Sequence, residues 1–168
     1  AFISPLLSGI ADYLGNKKIF LKLFCYVGAI SCMSLYFFSL DTVILSLVSY
    51  LLALIGFWGS LVFYNSYLPD IAHKEQQDKI SAKGFSLGYV GSVVLLLICL
   101  AMVLLSEEAK AMQMMRFSFL LVGIWWLGFS QYTYYYLPNN KNDNKLHRNI
   151  IFNGFKELLK VWQQIKEL

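Results

Sequence analysis

The chain has 168 residues, of which 58% are hydrophobic and 14% charged, with a mean hydropathy of +0.56 and a formal net charge of +4. A soluble domain contains about 45–50% apolar and about 25% charged residues, so this chain has too few charges to cover a water-exposed surface. Its basic residues are spread between apolar runs and form no single face, which argues against nucleic acid as a partner.

Four stretches of the chain are long and apolar enough to cross a bilayer, which takes about 20 residues of helix. The first residues, 1–11, are apolar but too short to span, and neither an initiating Met nor a basic segment precedes them. We expect them to be the end of a helix, which makes the chain a fragment. The sequence thus predicts an all-α fold, a polytopic bundle of membrane helices over residues 1–137. The predicted spans are residues 19–40, 43–64, 84–105 and 117–137.

The connections between the predicted spans are polar. Asp41 and Thr42 form a tight turn, and residues 68–83 and 106–116 form longer polar connections. Residues 138–168 form a charged linker, and its last part has apolar residues at the three- and four-residue spacing of an amphipathic helix. We expect that helix to lie on the membrane surface or to pack on a partner helix.

The basic residues predict which side of the membrane each connection faces. If residues 12–18 are cytoplasmic, twelve of the 14 basic residues are cytoplasmic, and only Lys110 and Arg116 lie on the opposite side. Cytoplasmic loops of membrane proteins are enriched in Lys and Arg. We therefore expect residues 41–42 and 106–116 to face away from the cytoplasm, and the linker to lie in it.

No pattern typical of catalysis is present in the sequence. Cys25, Cys32 and Cys99 lie inside apolar spans, where cysteine behaves as a small hydrophobic residue. His73 and His147 are far apart in polar connections, and neither a Ser-His-Asp arrangement nor a phosphate-binding loop is found. The sequence therefore predicts a protein that is not an enzyme and that uses no cofactor or metal.

Two segments resemble a known family. The charged segment SGIADYLGNKK, residues 8–18, resembles the signature Gly-x-x-x-Asp-Arg-x-Gly-Arg-Arg/Lys between helices two and three of the major facilitator superfamily. The segments FYNSYLPDIA, residues 63–72, and DKISAKGFSLGYVGS, residues 78–92, are similar to the end of helix four and the start of helix five in its vacuolar-effluxer-like branch. That branch is related to the autophagy-associated amino-acid exporter of fungal vacuoles. Three positions of the signature differ here: Ser8, Tyr13 and Asn16.

The resemblance covers residues 1–137 and implies part of the N-terminal half of a secondary transporter. Such a protein moves a small solute, here amino acids by analogy, by alternating access across a bacterial inner membrane or a vacuolar-type membrane. Membrane lipid, the solute and the remaining helices of the same polypeptide are then the partners. The alternative is a non-transporting membrane scaffold whose amphipathic tail binds a partner.

The resemblance assigns a gating motif to Asp12, Gly15, Lys17 and Lys18. Glycine permits a tight turn between two helices. The carboxylate of Asp12, at the end of a helix, opposes the helix dipole and needs a positive partner. The next cytoplasmic connection offers two candidates, Lys79 and Lys83.

Further candidates come from the fourth helix of the superfamily, which lines the transport pathway. On the matching span these are Trp58, Tyr64 and Asn65. Gly84, Gly88 and Gly91 occupy one side of the next span, where small residues permit close helix packing. Gln131 is a candidate for a polar contact between helices. Lipid contact or the membrane interface is expected for the remaining aromatic residues: Tyr67, Trp125, Trp126 and the tyrosines of residues 132–136.

The orientation can be tested by chemical labelling. In a variant without the three native cysteines, Thr42→Cys and Ala109→Cys should react with a membrane-impermeant maleimide added from the non-cytoplasmic side. Labelling of these two positions only after permeabilisation would contradict the orientation.

Overall fold

A computed structural model of the chain describes residues 17–138. Within this range the chain is helical and contains no strand. The predicted partial span 1–11 and the predicted amphipathic tail lie outside the described residues. The helices are α1 (Lys17–Ser34), α2 (Val43–Asn65), α3 (Leu68–Ile71), α4 (Gln77–Leu104) and α5 (Glu108–Tyr136), with 3₁₀ turns at Leu35–Phe37, Leu40–Thr42 and Lys74–Gln76.

Four helical stretches are long and apolar enough to cross a membrane, which confirms the predicted all-α membrane bundle. Helix α2 ends at Asn65 for a local reason. Pro69 lacks an N–H group, and its ring would clash with the carbonyl of the residue four positions earlier. The candidate spans are Lys17–Phe37, Leu40–Ile71, Lys74–Leu104 and Glu108–Tyr136.

Two of the helices are longer than the sequence predicts. Helix α4 begins at Gln77 and α5 at Glu108, before the apolar residues of each span begin. The segments 77–83 and 108–116, which we expected in polar connections, are therefore helical. Their Gln, Lys, Ala, Glu and Met residues have high helix propensity, so the helices continue past the apolar stretch.

Helix α1 lies at the centre of the described bundle. It packs against α2 on one side and α5 on the other, and α4 packs against α5. One third (33%) of the α1 span is buried, compared with 11% for α2 and 6% for both α4 and α5. The outer helices therefore present most of their large apolar side chains to the surroundings.

The contact between α1 and α2 depends on glycine. A Cβ atom built on Gly56 would lie 2.6 Å from the backbone nitrogen of Gly28 and 2.8 Å from the carbonyl oxygen of Phe24. One turn further along α2, a Cβ on Gly59 would overlap the ring of Phe24. Because lipid tails are as apolar as the side chains, membrane helices associate through such close van der Waals contact.

The contact between α1 and α5 also uses glycine. A Cβ on Gly28 would collide with the indole ring of Trp126, and one on Gly123 would collide with the side chain of Met33 and lie 2.9 Å from the carbonyl oxygen of Ala29. Gly28 therefore accommodates both neighbours of α1. Trp126, for which we expected lipid contact, packs between helices.

The core lies toward the end of the bundle where α1 begins. Leu21 and Cys25 of α1 meet Phe63 of α2, and the tyrosines Tyr67 and Tyr134 complete the cluster. Tyr67 is only 1% exposed, so it packs inside the bundle and does not face lipid as we expected. Tyr134 is buried as well, because its position on α5 faces α1.

The glycines predicted to pack α4 behave differently from one another. A Cβ on Gly84 would lie 2.9 Å from the hydroxyl oxygen of Tyr64, so the side chain of Tyr64 reaches across from α2 to the backbone of α4. Nothing in the described part of the chain lies within 4 Å of a Cβ on Gly88 or Gly91. Residues 17–138 thus provide no close packing partner for these two glycines, and their packing role stays a prediction.

Substitution of one glycine tests the packing of α1 on α2. We expect Gly56→Ala to destabilise the protein by about 1–3 kcal/mol, the usual cost of forcing extra atoms into a packed contact. Thermal unfolding of the purified protein in detergent measures this. Gly128→Ala is the matched control, because nothing in residues 17–138 lies within 4 Å of a Cβ there. Equal melting temperatures for the two variants would contradict the packing described here.

Candidate functional site

A cavity of about 540 Å³ lies between α1, α2, α4 and α5. It occupies the half of the bundle that contains the start of α1 and the end of α2. Its walls are aromatic rings and hydroxyl groups, and no Asp, Glu, Lys, Arg or His is among the lining residues. The hydroxyl groups belong to Ser60, Tyr64, Tyr89, Ser92, Ser130, Thr133 and Tyr134.

The serine hydroxyls of the cavity are held in place by their own helices. Ser60 donates to the carbonyl oxygen of Phe57 at 2.8 Å, and Ser92 and Ser130 make equivalent bonds at 2.9 Å to carbonyls three residues earlier. Such bonds use the hydroxyl proton and leave the oxygen able to accept. The cavity therefore offers fixed hydrogen-bond acceptors in an otherwise apolar wall.

Tyr134 differs from the serines. Its side chain is 6% exposed, and its hydroxyl group has no hydrogen-bond partner within residues 17–138. A buried hydroxyl without a partner costs about 1–3 kcal/mol. The hydroxyl oxygen is fully buried beside Cys25 and Ser130, so it belongs to the packing behind the cavity wall and not to the surface that a solute would meet.

The three predicted pathway residues do not come together. Tyr64 lines the cavity, whereas Trp58 and Asn65 are not among its lining residues. Trp58 and Asn65 are seven positions apart and so share one face of α2, and both are exposed. That face lies away from the buried positions of α2, such as Gly59 and Phe63, which pack on α1.

The two predicted gating lysines connect three helices at one end of the bundle. Lys17 is largely buried, and its ammonium group donates to the carbonyl oxygen of Ser66 at 3.1 Å and lies 3.3 Å from the carboxylate of Asp70. Lys18 donates to the carbonyl oxygen of Leu137 at 2.9 Å. Ser66 and Leu137 cap the C-terminal ends of α2 and α5. Each cation therefore meets the negative end of a helix dipole.

The other gating residues, Asp12 and Gly15, lie outside the described residues, and their role stays a prediction. Sequence reasoning missed Asp70, although an acid directly after a proline that ends a helix is a recognisable signal. It also missed the hydroxyls of Ser60 and Ser130, since one serine in an apolar helix gives no sign of what it faces.

A second polar contact joins α1 to α5 nearer the middle of the helices. The Nε2 group of Gln131 donates to the hydroxyl oxygen of Tyr26 at 3.0 Å, and the hydroxyl group lies 3.3 Å from Oε1 of Gln131. The predicted inter-helix contact of Gln131 is thus confirmed.

No group of three His, Cys, Asp or Glu side chains that could hold a metal ion occurs in the described range 17–138. Cys25, Cys32 and Cys99 are free thiols. The chemistry that the described residues offer is hydrogen bonding and apolar contact.

Comparison with known proteins places the chain in a family of membrane proteins. The family described as "Vacuole effluxer Atg22 like" matches residues 1–168. The chain is 31% identical over 176 residues to the uncharacterized MFS-type transporter YxiO of Bacillus subtilis (strain 168), which covers 99% of this chain and 40% of that protein. It is 23% identical over 188 residues to autophagy-related protein 22-2 of Neosartorya fischeri and of Aspergillus fumigatus, covering 73% of this chain and 31% of each relative. The chain thus spans less than half the length of these relatives, and no solved structure matches it.

The lysine contacts can be tested by removing one charge. We expect Lys17→Met, which keeps the apolar stem, to destabilise the protein by about 1–3 kcal/mol, because hydrogen bonds to a charged group are lost. Thermal unfolding in detergent measures the effect. Lys74→Met is the matched control, since Lys74 is exposed and its loss removes the same charge. A control variant as unstable as Lys17→Met would show that the contacts with Ser66 and Asp70 contribute nothing specific.

Proposed function

Because the chain belongs to the vacuole effluxer Atg22-like family, we propose that it forms part of a secondary transporter that carries a small solute by alternating access. The chain is part of a multi-pass integral membrane protein, and its relatives are transporters and not enzymes. In this proposal the described helices belong to one of two halves that move against each other around a central pathway.

The observation that carries the proposal is the uncharged cavity between α1, α2, α4 and α5. Its volume of about 540 Å³ is within the range of about 300–1,000 Å³ typical of small-molecule sites. The walls combine apolar area with a few fixed hydroxyls, which suits a small solute of zero net charge. A neutral amino acid has no net charge: its ammonium group can donate to the serine oxygens, and the hydroxyls of Tyr64 and Tyr89 can donate to its carboxylate. We therefore propose neutral amino acids as the first substrates to test.

The contacts at the lysine end support the same mechanism. Alternating access needs helices that move together as one body while the pathway opens and closes. Lys17 and Lys18 tie the start of α1 to the ends of α2 and α5, so these three helices are coupled on one side of the cavity. We propose that Asp12, in the same segment, biases which side of the pathway is open. The alternative of a scaffold depends on the tail at residues 150–168, which lies outside the described residues.

Transport by the full-length protein tests the proposal directly. In vesicles with a proton gradient, the protein should move at least one neutral amino acid faster than empty vesicles do. Tyr64→Phe, which removes only a hydroxyl group from the cavity wall, should reduce kcat/KM roughly 2- to 10-fold, the effect of losing one neutral hydrogen bond.

Two sets of variants sharpen this test. Tyr135→Phe is the matched control, because Tyr135 is 83% exposed and does not line the cavity. The other face of α2 is tested by Trp58→Ala and Asn65→Ala. If that face lines the central pathway, both variants should slow transport without lowering the amount of folded protein. Normal kinetics of Tyr64→Phe would exclude the cavity as the solute site, and normal kinetics of the other two variants would exclude that face.

A further inference from the structure

The outer contact line between α1 and α5 carries a ladder of polar groups. Lys18 binds the carbonyl oxygen of Leu137, Lys22 lies over the ring of Tyr134 with its ammonium 5.4 Å from the ring centre, and Tyr26 bonds to Gln131. We call these three pairs the polar seam. The α1 residues of the seam are each four positions apart, so they share one face of the helix.

The seam runs along the first part of a candidate membrane span. Lys18 and Tyr26 are eight positions apart, which is about 12 Å along a helix that rises about 1.5 Å per residue. Tyr26 and Gln131 are exposed, and Lys22 is partly exposed. Polar groups that face lipid within a span are costly unless a partner satisfies them.

Lys22 is the group in the seam that is least satisfied. In the described range 17–138, no acidic side chain forms an ion pair with Lys22. Its contact there is the face of the Tyr134 ring, which attracts a cation by about 0.5–2 kcal/mol. An ammonium group within a candidate span points to a functional role that involves an anion.

We propose that the polar seam binds the phosphate of an anionic phospholipid from the cytoplasmic leaflet. In this arrangement the ammonium of Lys22 pairs with the phosphate, and the N–H of the Gln131 amide that is not bonded to Tyr26 donates to a glycerol or phosphate oxygen. The basic residues place this end of the bundle on the cytoplasmic side, where the leaflet carries anionic lipid. Basic sites between membrane helices on that side bind anionic headgroups.

The surroundings of the seam suit a lipid rather than a free anion. Helix α1 also exposes Ile19, Leu23 and Ile30, each more than half exposed at 54–58%. These side chains offer contact area for acyl chains along the same helix. The proposal concerns Lys22, Tyr26 and Gln131, which do not line the cavity, and it does not depend on the solute proposed above.

The test uses the full-length protein in detergent, with bound lipids counted by native mass spectrometry. Dioleoyl-phosphatidylglycerol should bind more tightly than dioleoyl-phosphatidylcholine, and inorganic phosphate alone should neither bind nor raise the melting temperature. Lys22→Gln should weaken phosphatidylglycerol binding about fivefold, the effect expected for one basic residue near anionic lipid. Lys22→Arg should retain the binding, and Lys79→Gln, at an exposed cytoplasmic position, should leave it unchanged.

A second variant keeps the proposal testable if Lys22→Gln does not fold. Gln131→Glu changes an exposed position and places a carboxylate beside Tyr26, which should remove the preference for phosphatidylglycerol while the protein stays folded. Unchanged lipid preference in this variant would overturn the proposal. So would equal loss of binding in Lys79→Gln, no preference in the unmodified protein, or an equal effect of inorganic phosphate.

Discussion

The absence of a side chain at Gly28 is the constraint on which the arrangement of the helices depends. Its backbone lies against Gly56 of α2, while its other side is covered by the indole ring of Trp126 of α5. Since the hydrophobic effect does not drive association between helices in lipid, surface contact between backbones must supply the attraction. A larger residue at this one position would separate α1 from both neighbours. The cavity, whose walls come from all of these helices, would then change shape.

At one end of the bundle, charge adds to this packing. The ammonium groups of Lys17 and Lys18 lie where two helices end and leave carbonyl groups without partners within the helix. Each ammonium group therefore donates to a free carbonyl oxygen and also interacts favourably with the negative end of a helix dipole. Asp70 adds a carboxylate next to Lys17, so the buried ammonium is paired. Two of the residues on which the predicted orientation depends thus also connect the helices.

Hydropathy predicted the number of membrane helices and the fold class, because 18 or more apolar residues have few alternatives to a helix in lipid. It placed the starts of α4 and α5 too late, since residues such as Lys79 and Met112 continue a helix in water without any apolar signal. It also could not identify which glycines pack, because Gly56 and Gly88 look alike in sequence and differ only in what faces them. The partner of Lys17 required the tertiary structure, which brings together residues 53 positions apart.

The described helices separate their polar groups into two kinds of environment. The cavity side has hydroxyls and no charged residue, whereas the outer seam has Lys22. A charged group inside a narrow apolar cavity would hold any ion of opposite charge strongly, and a transporter must also release what it binds. Neutral hydroxyls bind more weakly, by about 0.5–1.5 kcal/mol for each hydrogen bond, so binding and release remain close in free energy. A charge on the outer surface, where lipid headgroups can screen it, does not change the free energy of binding and release inside the cavity. The placement of Lys22 outside and the serines inside therefore agrees with the two proposals, a solute that exchanges in the cavity and a lipid that stays bound on the outer surface.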